Sequence, residues 1–294
     1  MSRGCVIIKI SDMFKKDQIV VSFEIFPPKQ QYPVSTIYDT IQSLKVLKPE
    51  FISVTYGAGG SSSATTFEIA KKVKNDYELE TVTHFTCIGA SSDEIEESLE
   101  KIKKINVKNI LALRGDLPNN QSDSLSKSKY RYAKDLVTHI KKNHDFCVGG
   151  AAYPEGHLDC RDLELNIEHL KQKVNCGTDF LITQIFFDNE IYYEFLDKVR
   201  KNGIYVPISV GVMPILDAKQ IKRICSLCGT SIPSKMQAMI EKYGDNPLDM
   251  EKAGIEYACN QIADLVNHKV DGIHVYTMNK SSQVTTIINQ TGLR

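Results

Sequence analysis

The chain has 294 residues, 42% of them hydrophobic and 24% charged, a composition that excludes a disordered polymer and supplies enough apolar side chains for a substantial core. Its 36 Lys and Arg residues balance 36 Asp and Glu residues, so no global field draws it to nucleic acid or to an anionic membrane, and an anionic ligand would need a local basic site. No run of about eighteen apolar residues could span a bilayer, and the opening lacks a signal peptide's apolar segment and small-residue cleavage site, so a cytoplasmic protein is expected.

Along the chain a short β-branched run is followed again and again by a stretch with helical spacing, and no consecutive hairpins interrupt the alternation. Strands are expected at 19–26, 51–56, 80–87, 109–115, 147–153, 180–187, 206–213 and 272–278, with helices at about 36–47, 63–76, 92–104, 130–143, 162–175, 190–201, 217–228 and 281–290. In 92–104, for instance, Ile95, Leu99 and Ile102 share one face while Glu94, Glu96, Glu97, Lys101 and Lys103 take the other. Eight strand-then-helix units imply right-handed parallel crossovers, and closing them gives a (β/α)₈ TIM barrel. The segment 234–267 reads as extra helices before the last strand, and the polar tract at 119–129 as a long βα loop. With no linker composition or charge shift to divide it, 1–294 is expected to be one catalytic domain. A doubly wound open sheet is the rival fold. Against it, GAGGSS at 57–62 has Ser62 where a dinucleotide fingerprint wants its third Gly or Ala, and the next strand does not end on an acid.

Eight cysteines are scattered through the sequence, and in a large cytosolic chain they are expected to be reduced. Cys225 and Cys228 form a CxxC inside an expected helix, with no second pair or nearby His at zinc spacing, so helix packing is the reading and no metal is expected.

A barrel carries its chemistry at the carboxyl ends of its strands. There the sequence places Glu24 before Pro27 and Pro28, Thr55 and Tyr56, His84, Arg114-Gly115-Asp116, Tyr153 with Glu155 and His157, Gln184, and Asn279 with Lys280. Each alone has a structural explanation, as a loop cap, an ion pair or a satisfied core histidine. Seven strands doing so together point to a polar, ligand-holding mouth, since an unpaired carboxylate in an apolar barrel is costly.

The segments VSFEIFPPK at 21–29, ISVTYGAGGS at 52–61, THFTCIGAS at 83–91, NILALRGDLP at 109–118, AAYPEGH at 151–157, LKQKVNCGTDFLITQIFFD at 170–188 and HVYTMNK at 274–280 resemble the methylenetetrahydrofolate reductase family, in its bacterial single-domain form. The resemblance implies an FAD-dependent oxidoreductase of one-carbon metabolism and methionine biosynthesis. In it a hydride passes from NADH, or from a partner redox protein, to the flavin and then to the methylene carbon of methylenetetrahydrofolate. It implies that Thr55, Tyr56, Ala58, His84, Leu113, Arg114, Gly115, Asp116, Tyr132, Ala133, Tyr153, His157, Asn166, His169, Gln172 and Lys173 surround FAD. Arg114 and Lys173 suit its pyrophosphate. Glu24 matches the general acid that protonates N10 as the folate ring opens, and Asp116 a carboxylate near flavin and pterin. Glu24, Thr55, Asp116, Gln184 and Lys280 would meet folate. Three positions depart from the pattern: Lys280 replaces an Arg that contacts the folate tail, Asn166 an Asp on the flavin ribose, and Ala218 an aromatic residue against the nicotinamide. A flavin-free pterin methyltransferase and a non-catalytic barrel subunit are the alternatives. Amphipathic outer helices are compatible with a homo-oligomer.

Overall fold

The computed structural model describes residues 9–15, 18–28, 31–56, 63–116 and 129–294. In chain order the elements are α1 (Ile10–Met13), β1 (Val20–Ile25), α2 (Ser35–Lys45), β2 (Phe51–Val54), α3 (Ser63–Asn75), β3 (Glu80–Thr86), α4 (Ser92–Lys104) and β4 (Asn109–Leu113). They continue with α5 (Ala133–Asn143), β5 (Cys147–Ala152), α6 (Leu163–Asn175), β6 (Phe180–Thr183), α7 (Asn189–Lys201), β7 (Ile208–Val212), α8 (Ala218–Cys228), α9 (Ser234–Tyr243), α10 (Pro247–Asn267), β8 (Gly272–Tyr276) and α11 (Ser281–Thr291). The strands run parallel and close as β1 through β8, with β8 hydrogen-bonded back to β1. This is the expected (β/α)₈ barrel, with α9 and α10 where extra helices were read.

Local chemistry starts and stops the helices. Ser91 and Glu94 form a reciprocal capping box on α4, an arrangement whose cap contributes about 1 kcal/mol. Asp162 caps α6, and Asn246 caps α10 with Pro247 in the first turn. Gly229, at φ 71°, ends α8 in the left-handed conformation that glycine adopts without penalty. Ile95, Leu99 and Ile102 are buried, as their spacing requires, in the apolar layer between helices and barrel.

Three elements depart from the sequence reading. The apolar run expected to be strand to residue 187 leaves the sheet at Thr183; Ile185, Phe186 and Phe187 are buried in the following loop, because a run buried on both sides has no periodicity to mark its end. Gln184 is therefore the first loop residue, its N–H still donating to the Ala152 carbonyl. The fifth helix begins at Ala133 instead of 130, where the Asp135 carboxylate accepts from the Arg131 and Tyr132 N–H groups. The short α1 was not anticipated. Its Ile10 and Met13 pack with Val20, Phe51, Val82, Leu111 and Phe180 and stopper the amino-terminal end of the barrel, while the Ile10 N–H donates to Asn109 Oδ1. That leaves the opposite rim as the open end. Among the described residues no helix is long and apolar enough to cross a membrane.

Candidate active site

At the carboxyl-terminal rim, β1 and β8 pair Ser22 with His274 and Glu24 with Tyr276. Two imidazoles flank the Glu24 carboxylate: Glu24 Oε2 is 3.4 Å from His84 Nε2 and 3.5 Å from His274 Nε2. Serines hold both rings from the layer below, with Ser53 Oγ 2.6 Å from His84 Nε2 and Ser22 Oγ 2.7 Å from His274 Nδ1. Burial pushes the His84 imidazole below the ordinary histidine range despite the pull of Glu24, so it is neutral near pH 7. Tyr276 donates to the Thr183 carbonyl at 2.6 Å and crosses a place on β7 that only glycine leaves open: a Cβ on Gly211 would meet its ring at 2.6 Å.

The main chain carrying Glu24 is tied to the turn after β8. Thr277 Oγ1 donates to the Glu24 carbonyl at 2.6 Å, and the Asn279 side chain both accepts from Phe26 N–H and donates to Phe26 C=O. That turn places Met278 and Asn279 at φ 50° and 55°, a conformation that costs energy for residues with a Cβ and persists where the surroundings enforce it. Gly115, at φ 87°, lies so close to Thr86 and Ile88 that a Cβ would sit 3.0 Å from each, and this bend carries Asp116 onto the rim. Burial raises the Tyr153 and Cys228 groups, with the Asp116 charge adding to it, while burial and Glu24, Cys228 and Tyr153 in turn raise Tyr276. Glu24, His84, Tyr153 and Asp116 thus share one mouth with three groups the sequence reading did not assign to it: His274, Tyr276 and Cys228. A lone His in a strand reads as core, and the CxxC reads as helix packing.

A cleft of about 410 Å³ opens beside the mouth between the ends of β4 and β5 and the helices α5 and α6. Ten expected cofactor residues line it: Leu113, Arg114, Tyr132, Ala133, Tyr153, His157, Asn166, His169, Gln172 and Lys173. Ala112, Ala151, Ala152, Leu170 and Phe195 add apolar wall. Lys173 reaches in from α6, its ammonium donating to the Ala151 carbonyl, with burial pushing its pKa down to about 8. No carboxylate among the described residues pairs with it, which leaves a desolvated cation facing the cleft. The other cation, Arg114, is held by Asp159 at 2.8 Å, an ion pair that keeps the carboxyl below its usual range. His157 Nδ1 accepts from Asp159 N–H, so the neutral ring presents Nε2–H.

Other expected residues have partners of their own. Asn166 lines the cleft, but its amide holds the 157–162 loop, accepting from His157 N–H at 3.0 Å and donating to the Cys160 and Asp162 carbonyls. Gln172 is engaged by Lys134 and Glu168. Tyr56 packs on the apolar layer outside the barrel, and Thr55 is held through its backbone to Ile25 and Thr66. Glu24 faces His84 and His274, which define its surroundings more than the Pro27-Pro28 turn does. Lys280 is exposed at the start of α11, and Ala218 opens α8. Ala58 lies outside the described residues. Seven cysteines among those described are free thiols.

A model of the methylenetetrahydrofolate reductase family matches residues 9–292. The chain is 36% identical over 277 residues to the 5,10-methylenetetrahydrofolate reductase of Escherichia coli, covering 94% of this chain and 92% of that protein. It is also 36% identical over 293 residues to methylenetetrahydrofolate reductase 1 of Schizosaccharomyces pombe, covering 97% of this chain and 49% of that protein. The chain spans about half the length of that fungal relative and 51% of the similar Arabidopsis thaliana protein. Among solved structures, an uncharacterized protein from Clostridium thermocellum that binds two copies of 5-methyl-5,6,7,8-tetrahydrofolic acid superimposes with a TM-score of 0.65 at 16% identity, over 95% of this chain and 96% of that one, a likeness of fold. The family model covers almost the whole chain and relatives exceed 30% identity along nearly all of it: the chain belongs to the methylenetetrahydrofolate reductase family.

Proposed function

We propose that this chain, as a single barrel unit, reduces 5,10-methylenetetrahydrofolate to 5-methyltetrahydrofolate with FAD as its cofactor. One observation carries the reading: a carboxylate between two imidazoles, Glu24 with His84 and His274, lies at the same mouth as a cleft bearing an uncompensated ammonium, Lys173. The cleft suits a long, partly anionic group. Lys173 and Arg114 would hold a pyrophosphate, and the Leu113, Ala151 and Leu170 wall would take apolar ring surface. Bound there, FAD supplies the hydride that the protein itself lacks.

The residues of the chain supply the proton and the field. Glu24, protonated, gives its proton to N10 of the folate, which lets the five-membered ring open to a cationic iminium at the methylene carbon. The hydride is then added to that carbon, so one proton and one hydride account for the product. His84 and His274, within 3.5 Å of the carboxylate and each held by a serine, fix the position of Glu24, and solvent at the mouth returns its proton. Asp116 stabilises the positive charge of the opened ring. Gln184 and Lys280 would meet the pterin and the glutamate tail. The Clostridium thermocellum protein of similar fold binds the methyl form of the folate, and the Escherichia coli relative is named as a reductase of the methylene form.

The donor to FAD is NADH or a partner redox protein. The test is anaerobic: the flavin-loaded chain is mixed in parallel with NADH, NADPH and a low-potential donor, and methylenetetrahydrofolate follows. Bleaching of the flavin by one of the three, then return of its absorbance with stoichiometric 5-methyltetrahydrofolate, is the expected result. A chain that binds no flavin, or a reduced flavin indifferent to the folate, would overturn the reading; methyl transfer without flavin would favour a pterin methyltransferase.

A further inference from the structure

Glu96 of α4 and His139 and His144, in α5 and at its carboxyl-terminal cap, meet on the outside of the barrel, and none of them lines the cleft. Glu96 Oε1 is 2.7 Å from His139 Nε2 and Oε2 is 2.9 Å from His144 Nε2. One ligand-type atom from each of the three residues falls within 4.8 Å of the others. The imidazoles are 12% and 8% exposed, whereas the carboxylate is 40% exposed, so solvent reaches the point where they converge.

The far sides of the rings decide what can stand at that point. His139 Nδ1 is 2.9 Å from the Tyr130 hydroxyl, a group able to accept from the ring. His144 Nδ1 faces Glu100 Oε1 at 3.9 Å, again an acceptor. With the protons on Nδ1, the rings would aim Nε2 lone pairs at the Glu96 carboxylate, the arrangement that a cation between them requires. Metal-ligating histidines are held in this way, with the second nitrogen donating to a carboxylate or hydroxyl behind it.

We propose that Glu96, His139 and His144 bind a divalent transition-metal cation, with Zn²⁺ the best match, that fastens α4 to α5. Two imidazoles and one carboxylate with a water in the fourth position make a tetrahedral zinc set. Ligand distances of about 2.0–2.1 Å put tetrahedral donors about 3.3 Å apart, so the Glu96 oxygens retreat by a few tenths of an ångström along an exposed stem. None of the described cysteines takes part, which is why cysteine spacing gave no expectation of a metal, and Glu96 lies more than forty positions from the two histidines.

The experiment uses the full chain as purified, without an affinity tag, titrated with Zn²⁺ in competition with a chromophoric chelator. One Zn²⁺ per chain is expected, with affinity falling about a hundredfold or more in His139→Gln and in Glu96→Gln, and the melting temperature rising with Zn²⁺ only in the unsubstituted chain. Absence of a stoichiometric site, or binding unchanged in both variants, would overturn the proposal. Co²⁺ bound to the unsubstituted chain gives an answer independent of how the variants fold. Visible bands of a four- or five-coordinate ion without thiolate charge transfer support the site, and a strong thiolate band assigns the metal to cysteine and overturns it.

Discussion

Lys173 shows how one residue can carry both a cost and a function. Burial depresses its pKa from the ordinary 10.5 to about 8, so between those values the unfolded chain binds a proton that the empty fold does not. The cofactor-free fold therefore gains stability as pH rises through that window. An anionic cofactor favours the charged amine, so FAD affinity should do the opposite and fall as pH climbs above about 8. Fluorescence titration of FAD across this range checks the slope, and Lys173→Met should weaken binding and flatten it. Asn166 is a second case. Its amide donates to two loop carbonyls, a task that an aspartate could not perform. Asn166→Asp would set a carboxylate against both carbonyls; a loss of about 1–3 kcal/mol, on the scale of unsatisfied buried polar groups, should appear as a lower melting temperature and faster flavin release. Glu24, His84, Asp116 and Tyr153 were legible as polar residues at strand ends. The roles of His274 and Tyr276 were not, because alternation in a strand buried on both faces does not reveal which residues point into the mouth.

Among the elements, the eight strand-and-helix units were readable because β-branched runs and 3.6-residue periodicity do not overlap in this chain. What escaped lacked such a signal. The four-residue α1 is too short for periodicity, and its worth lies in side chains that stopper the barrel's closed end. Ile10→Ala, at a fully buried position, should cost about 2–5 kcal/mol, read as an earlier denaturation midpoint with the flavin spectrum retained. The turn after β8 also escaped. HVYTMNK shows no sign that Thr277 and Asn279 grip the backbone of β1 and so fix the height of Glu24.

For the whole molecule, closure of the sheet is what turns remote residues into one site. β1 lies beside β8, bringing Glu24 next to His274 across 250 positions, while the cleft between α5 and α6 opens onto the same rim. On the proposed function this makes two compartments, a basic cleft for the cofactor's anionic part and an acid flanked by imidazoles for the folate, and that division of labour is the central claim. It is tested most directly by stopped-flow reoxidation of the anaerobically reduced flavin by methylenetetrahydrofolate, comparing the unsubstituted chain with Glu24→Gln. Glu24→Gln should bind FAD and accept electrons as before yet lose folate-dependent reoxidation by about 10²–10⁴-fold, the range a general acid contributes. Reoxidation at the unsubstituted rate in that variant would contradict the account.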